Sequence, residues 1–170
     1  MTSISLIGKA GAGKSAIAEK LCDKGYTRLS FASKVKDIAW DILQKPLDKT
    51  QPKDREFLQH LGTDLARAYD PDVWVKHFRI AYHKWLKYGR KDFVVDDARF
   101  LNEIEFLKSE GFVVVRVVGR GYSMGALGNH VSETQLDTYK ADFEVDNSGS
   151  LQETMWQLQH IIKTVESAKK

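Results

Sequence analysis

The chain has 170 residues, of which 42% are hydrophobic, a length and composition that predict one domain with a sizeable core. Its net charge of +3 is mildly basic, which suits a site for anions but falls far short of a protein that coats nucleic acid. A single cysteine, Cys22, excludes an intrachain disulfide. Because no apolar run has membrane-spanning length and no leader pattern opens the sequence, we expect a cytoplasmic protein without membrane or nucleic-acid partners.

Apolar runs alternate with segments of helical periodicity along the chain. Strands are predicted within SISLI, YTRLSF, DFVVD, FVVVRVV and FEV. Helices are predicted over Lys14 to Lys24, Ala32 to Leu43, Pro52 to about Tyr88 with a break near YDPD, Phe100 to Glu110, and Leu151 to Val165. The alternation predicts an α/β fold, a parallel sheet of about five strands with helices on both faces, which binds ligands at the carboxyl ends of its strands.

Three tryptophans lie within these helical patterns. Trp40, Trp85 and Trp156 each fall in a helical segment rich in apolar residues. Since large aromatic side chains in such patterns usually pack inside the protein, we expect all three in the core.

A glycine-rich loop follows the first predicted strand. Gly8, Gly13, Lys14 and Ser15 match the pattern G-x-x-x-x-G-K-[ST]. Its small residues let backbone N–H groups converge on phosphates, Lys14 adds a full charge, and Ser15 offers a hydroxyl to Mg²⁺. The predicted nucleotide-contacting residues are Gly8, Ala10, Gly11, Ala12, Gly13, Lys14, Ser15 and Ala16. The loop predicts a bound nucleoside triphosphate with Mg²⁺, but it leaves the phosphate acceptor unspecified.

A second charged stretch, FVVDDARFLNE, follows an internal strand. An acid at the end of a strand beside the phosphate loop can serve the Mg²⁺ shell, and Arg99 suits a second phosphate. Glu103 lies four residues after Arg99, so the two side chains can pair on one helical face. The alternative interpretation is a surface ion pair, with Asp97 serving only as a helix N-cap.

The same stretch resembles the D-x-R-F-x-N-E motif of bacteriophage deoxynucleoside monophosphate kinases. REFLQHLGTDLARAYDPDVW is similar to their monophosphate-pocket segment, with its Arg, Gln-x-x-Gly-Thr and Trp. LSFASKVKDIAWDIL, HVSE and DFEVDNSGSL extend the resemblance over most of the chain. It implies the three-layer P-loop fold of nucleoside monophosphate kinases. It also implies a reaction in which ATP and a deoxynucleoside monophosphate give ADP and the diphosphate.

The resemblance implies a role for residues at matching positions. The implied catalytic residues are Lys14, Asp97, Arg99, Glu103 and Arg120. The implied acceptor-binding residues are Phe31, Arg55, Thr63, Arg67, Trp74 and Arg99. Ser15 and Asp97 are the implied metal ligands, and ATP and Mg²⁺ the implied cofactors. The implied domain, residues 1–170, contains a core, a helical acceptor-binding region at about 32–88 and a lid at about 119–134.

Two adjacent acids compete for the metal. Successive strand residues point to opposite faces, so Asp96 and Asp97 are not both expected to face Mg²⁺. We choose Asp97, because it keeps the D-x-R-x-x-x-E spacing to Arg99 and Glu103, and we assign Asp96 a structural role.

The sequence departs from the family pattern in two places. Leu101 replaces a common proline, and the predicted lid offers Arg120 as its one cation, where kinase lids usually bring more than one arginine. Two other interpretations stay open, another small-acceptor kinase such as a dephospho-coenzyme A kinase, or a nucleotide-binding switch that transfers nothing. The accepted bases, the selectivity for deoxyribose and the formation of a homodimer also stay open. A phage-encoded chain would act in the host cytoplasm.

Overall fold

The structure is a computed structural model that describes residues 2–48, 50–120 and 134–168. Within these residues the strands are β1 (Ile4–Ile7), β2 (Thr27–Leu29), β3 (Phe93–Val95), β4 (Val113–Val118) and β5 (Phe143–Asp146). The α-helices are α1 (Lys14–Cys22), α2 (Ser33–Leu43), α3 (Pro52–Gln59), α4 (Val73–Lys87), α5 (Leu101–Ser109) and α6 (Leu151–Ala168). A π-helical segment, His60–Arg67, continues α3 without a break in the chain.

The described strands form one parallel sheet in the order β2-β3-β1-β4-β5. The central strand β1 pairs with β3 on one side, where Ser5 lies opposite Val95, and with β4 on the other, where Ile7 lies opposite Arg116. Parallel pairing brings the carboxyl ends of all these strands to one edge. The loop after Ile7 and the acids after Val95 therefore meet there.

Alternation along the strands sends side chains to two separate cores. Leu6 of β1, Val94 of β3 and Val115 of β4 pack with helices α1 and α6 on one face. Ile7, Val95 and Val114 pack with α4 and α5 on the other face. Strands buried on both faces read as continuous apolar runs, as FVV and VVVRVV do. This three-layer arrangement confirms the predicted α/β fold.

The predicted burial of the three tryptophans is wrong. Trp40, Trp85 and Trp156 are 49%, 39% and 71% exposed. Trp40 and Trp156 each follow a buried residue, Ala39 or Met155, and a one-residue step on a helix turns the side chain by about 100° away from the core. The sequence pattern therefore predicted the position of the buried face on these helices correctly, but it overestimated the width of that face.

The predicted helical stretch from residue 52 to 88 consists of three pieces. Pro52 stands in the first turn of α3, where its fixed φ and missing N–H are tolerated. The π-helical segment then widens the helix, a geometry that is rare and often found at functional sites. The break predicted near YDPD is present, because α4 starts at Val73. No helix in the described part of the chain is long and apolar enough to cross a membrane.

Candidate active site

The loop between β1 and α1 depends on two glycines. Gly8 has φ +135°, and a Cβ there would lie 2.4 Å from the carbonyl oxygen of Val117. Gly13 has φ +96°, and a Cβ there would lie 2.2 Å from Nδ2 of Asn147. Both the backbone conformation and the space therefore require glycine. Helix α1 begins directly after Gly13, so the N–H groups of its first turn face the loop.

Asn147 braces this loop from the end of β5. Its Nδ2 donates to the carbonyl oxygen of Ala12 at 2.8 Å, and its Oδ1 accepts the Thr154 hydroxyl at 2.8 Å. Asn147 is 2% exposed, so these hydrogen bonds are sheltered from water. Sequence reasoning did not single out Asn147, because only the fold brings residue 147 beside residue 12. The resemblance of DNSGSL to the family was the one available signal.

Lys14 lies against its own loop. Its Nζ donates to the carbonyl oxygens of Gly8 at 2.6 Å and Lys9 at 2.8 Å. Lys9 in turn forms a surface ion pair with Asp137. The charge that the motif predicts for a phosphate is thus held at the loop by backbone oxygens.

The two adjacent acids face different partners from those predicted. Asp96 Oδ2 accepts the Ser15 hydroxyl at 2.8 Å. Asp97 instead accepts the Ser30 hydroxyl at 2.6 Å and the backbone N–H groups of Phe31 at 3.1 Å and Ala32 at 3.0 Å. The carboxylate beside the phosphate-loop serine is therefore Asp96, whereas Asp97 holds the chain at the start of α2.

Strand alternation explains this difference. Val94 packs on the α1 face of the sheet and Val95 on the α4 face. Two residues after Val94, Asp96 returns to the α1 face, where Ser15 lies. The motif spacing that favoured Asp97 carries no information about which face bears α1.

Arg28 of β2 also holds Asp96. Its Nε lies 2.9 Å from Oδ1 of Asp96 and its Nη2 lies 2.5 Å from Oδ2. The hydrogen bond to Asp96 is the main cause that raises the pKa of the Arg28 guanidinium above its ordinary value. The result is a chain of polar contacts from Arg28 through Asp96 to Ser15.

Two neighbouring cavities open at this edge of the sheet. The larger, of about 1080 Å³, is lined by the phosphate-loop residues Ala10, Gly11, Lys14 and Ser15, by both acids and by cations that include Arg28 and Lys36. The smaller, of about 120 Å³, lies between α2, α3 and the π-helical segment. Four residues predicted from the sequence line both cavities: Phe31, Arg55, Asp97 and Arg99. Thr63, Arg67, Trp74 and Glu103 line only the smaller one.

The aromatic residues predicted for the acceptor pocket are packed into its walls. Trp74 is 4% exposed, and its indole N–H donates to the carbonyl oxygen of Gly62 at 2.7 Å. Phe31 stacks on Phe78 with ring centroids 4.2 Å apart. The acceptor-binding role of Trp74, which the family resemblance implies, stays a prediction.

Arg67 and Glu103 form a buried ion pair at the smaller cavity, with side chains 9% and 3% exposed. The Arg67 guanidinium also lies 3.8 Å from the ring centroid of Phe100. The predicted partner of Glu103 was the Arg99 side chain. The Glu103 carboxylate in fact accepts the backbone N–H groups of Arg99 at 2.7 Å and Phe100 at 3.1 Å, in addition to its pair with Arg67.

Burial dominates the ionisation of this pair. Desolvation raises the pKa of Glu103 from 4.5 to about 7, against the opposing effects of Arg67 and the two backbone N–H groups. Burial likewise lowers the pKa of Arg67, against the attraction of Glu103. Both shifts have one cause, because a low-dielectric site disfavours either charge.

Arg120, the predicted lid cation, lies exposed after β4, and its guanidinium donates to the carbonyl oxygen of Gly149. Most of the predicted lid, residues 121–133, lies outside the described residues. Across the described ranges, no group of three or more His, Cys, Asp or Glu side chains could hold a metal by itself. A hydroxyl and a carboxylate, Ser15 and Asp96, do fit Mg²⁺, which takes one or two carboxylates and completes its shell with water and phosphate oxygens.

The family model for deoxynucleotide monophosphate kinase matches residues 42–158. The chain belongs to this family. The match confirms the predicted family and the predicted class of enzyme, a nucleoside monophosphate kinase, and phosphorylation of deoxynucleoside monophosphates is the activity of that family.

Three viral proteins with deoxynucleotide monophosphate kinase in their names are similar in sequence to this chain. One relative is a protein of Acanthamoeba polyphaga mimivirus that is provisionally assigned as a deoxynucleotide monophosphate kinase. It is 29% identical over 99% of this chain and 98% of its own length. The deoxynucleotide monophosphate kinase of Escherichia phage RB69 is 30% identical over 64% of this chain and 44% of its own length. That of Enterobacteria phage T4 is 27% identical over 84% of this chain and 57% of its own length. This chain therefore spans about half the length of the two phage enzymes.

Among solved structures, the protein TT1252 from Thermus thermophilus superposes with a TM-score of 0.54 at 16% identity, over 96% of this chain and 98% of that one. This likeness supports the fold.

We expect Asn147→Ala to destabilise the protein and loosen the phosphate loop. The carbonyl oxygen of Ala12 loses its partner in a buried setting, so the free energy of unfolding should fall by about 2 kcal/mol, and ATP affinity should fall as well. Urea denaturation and calorimetric ATP titration measure the two effects. Gln157→Ala is the matched control. Its side-chain amide makes two hydrogen bonds to the backbone of Asp146, the residue before Asn147, but none to the phosphate loop. Equal ATP affinity in both variants would contradict the bracing role of Asn147.

We expect Glu103 to make stability fall as the pH rises from about 4.5 to about 7. In this window the folded protein binds a proton at Glu103 that the unfolded chain has released, so the free energy of unfolding decreases with pH. Glu103→Gln has no proton to release in this pH range. The free energy of unfolding of wild type minus that of Glu103→Gln should therefore drop by at most about 3 kcal/mol between pH 4.5 and 7. Urea denaturation at a series of pH values tests this. Glu105→Gln, an exposed change on the same helix, should keep the wild-type slope, and a constant difference between wild type and Glu103→Gln would refute the assignment.

Proposed function

We propose that this chain transfers the γ-phosphoryl group of ATP to the 5′-phosphate of a deoxynucleoside monophosphate, with the phosphate loop and the smaller cavity as the two binding sites. One observation carries the proposal. The phosphate loop and a cation-lined cavity meet at the edge where β1 and β3 end, and Arg55 and Arg99 border both cavities. Phosphoryl transfer depends mainly on positioning and on stabilising charge, and this edge offers both.

The ATP side of the proposal uses the loop and the start of α1. Backbone N–H groups from residues 8–16 would surround the phosphates, with Lys14 supplying a full positive charge at the loop. Ser15 and Asp96 would hold Mg²⁺, which neutralises negative charge on the phosphates when it is bound. We thus propose Asp96 for the metal role that the sequence had given to Asp97.

The acceptor side of the proposal uses the helical region of residues 32–88. The Arg67–Glu103 pair fixes one guanidinium in the wall of the smaller cavity, and Arg55 stands where the two cavities adjoin. Phe31, Thr63 and Trp74 complete the wall of the smaller cavity, against which the nucleoside would lie. Asp97 fixes the start of α2, so its proposed role is to shape this wall.

The proposed reaction needs no general base from the chain. A phosphate monoester has a second pKa of about 6, so the acceptor already carries a nucleophilic oxygen at pH 7. Arg55 and Arg99 would bring this anion to the γ-phosphate and offset the repulsion between the two polyanions. Lys14 would stabilise the charge that builds up during transfer. Glu103 acts through Arg67, as a residue that positions the guanidinium.

A lid formed by residues 119–134 would exclude water during transfer. Arg120 borders this segment and would be its cation, with residues 121–133 outside the described part of the chain. Water must be excluded, because otherwise the γ-phosphoryl group would pass to water and ATP would be hydrolysed.

The direct test is ADP release from ATP and Mg²⁺ in the presence of each candidate acceptor. We expect at least one deoxynucleoside monophosphate to raise ADP release above the acceptor-free rate and to appear as its diphosphate. The panel includes the matching ribonucleotides, dephospho-coenzyme A, shikimate and gluconate. Faster phosphorylation of dephospho-coenzyme A would favour the other small-acceptor kinase, and ADP release independent of every acceptor would favour a switch.

We expect Lys14→Ala to lower kcat by about three orders of magnitude, because the variant loses a charge that acts in the transition state. The fold should persist, since the Lys14 ammonium donates to carbonyl oxygens of its own loop and the side chain belongs to neither hydrophobic core. Steady-state kinetics and a thermal melt measure both. Lys20→Ala is the control, because Lys20 is an exposed lysine on the same helix as Lys14 and pairs with Asp23 at the helix end. Its kcat should stay within about twofold of wild type. A folded Lys14→Ala protein with near-normal kcat would exclude this role for Lys14.

A further inference from the structure

Arg28 stands outside every motif singled out in the sequence, yet it contacts the carboxylate beside the phosphate loop. It lies on the edge strand β2, in register with Val94 of the neighbouring strand β3. Its Nε and Nη2 bind the two oxygens of Asp96 at 2.9 and 2.5 Å. Its Nη1 lies 4.0 Å from a carboxylate oxygen of Glu19 on α1.

This geometry fixes the orientation of Asp96. Each carboxylate oxygen receives one nitrogen of the planar guanidinium, and Oδ2 also accepts the Ser15 hydroxyl. The carboxylate cannot rotate without breaking two charge-assisted hydrogen bonds at once. A lysine would carry the same charge but could not form this two-pronged contact.

We propose that Arg28 is a positioning residue for the metal site, which holds the Asp96 carboxylate facing Ser15 and so fixes the lone pairs that are offered to nucleotide-bound Mg²⁺. The inference rests on the proposed metal role of Ser15 and Asp96. Partners in an outer shell of this kind orient metal ligands, and their loss commonly lowers metal affinity by about 10- to 100-fold.

The competing role for Arg28 is direct contact with a phosphate, because Arg28 also lines the larger cavity. Two contacts oppose this role. The guanidinium already binds a carboxylate that is only 5% exposed, and its remaining nitrogen lies near Glu19. A move toward phosphate would leave Asp96 as a buried charge without its cation, which is costly.

The test is calorimetric ATP binding to the full chain over a range of Mg²⁺ concentrations and in excess EDTA. Arg28→Lys keeps the charge and removes the two-pronged contact. We expect its ATP affinity in EDTA to stay within about twofold of wild type and its gain in affinity from Mg²⁺ to shrink about tenfold. Arg79→Lys, an exposed arginine on α4 that lies over Phe106, is the matched control and should keep the full gain.

Asp96→Asn completes a double-mutant cycle. It should abolish most of the Mg²⁺ gain, and Arg28→Lys should change nothing further in that background, because Arg28 acts through Asp96. Arg28→Gln provides a second variant if Arg28→Lys melts at a low temperature. Its side-chain amide keeps one donor nitrogen for Asp96 but no charge. Equal weakening of ATP binding with and without Mg²⁺, or an unchanged Mg²⁺ gain, would overturn the role of Arg28 alone. A full Mg²⁺ gain in Asp96→Asn would instead overturn the metal site, and with it the role of Arg28.

Discussion

The parallel pairing of β1 with β3 is the constraint on which this site depends. With Ser5 opposite Val95, the phosphate loop that follows β1 and the two acids that follow β3 emerge side by side. The loop keeps its shape because glycine is required at Gly8 and Gly13 and because Asn147 ties Ala12 to the end of β5. This pairing brings the Asp96 carboxylate within hydrogen-bond reach of the Ser15 hydroxyl and places the larger cavity beside the loop.

Strand alternation then gives the two adjacent acids different tasks. Asp96 turns to the face that carries α1 and meets Ser15 and Arg28. Asp97 turns the other way and fixes the start of α2, which walls the smaller cavity. In the proposed mechanism these two neighbouring residues connect the nucleotide side and the acceptor side of the site. The buried Arg67–Glu103 pair supports the proposed acceptor side in the same manner, because Glu103 also holds the backbone at Arg99.

Local patterns were sufficient to predict the strands, the phosphate loop and the break before α4, because each of these is encoded in adjacent residues. Contacts between distant segments were not predictable in this way. Asn147 reaches Ala12, Arg28 reaches Asp96, and Arg67 reaches Glu103 only after the sheet and helices have assembled. Whether Asp96 points to the metal side of the site depends on which face of the sheet α1 packs against. The exposure of Trp156 depends on how wide the buried face of α6 is. The roles given to Arg55, Thr63, Trp74 and Arg120 rest on the family resemblance and stay predictions.

In the proposed mechanism, Asp96 serves the metal-bound nucleotide and Asp97 serves the acceptor pocket. Steady-state kinetics of Asp96→Asn and Asp97→Asn, with Mg²⁺ and the acceptor varied separately, distinguish these two roles. We expect Asp96→Asn to lower kcat and to raise the Mg²⁺ requirement with little change in the acceptor KM. We expect Asp97→Asn to raise the acceptor KM and to leave the Mg²⁺ requirement near that of wild type. The reverse pattern, with Asp97→Asn raising the Mg²⁺ requirement and Asp96→Asn near normal, would exclude Asp96 as the metal ligand and assign that role to Asp97.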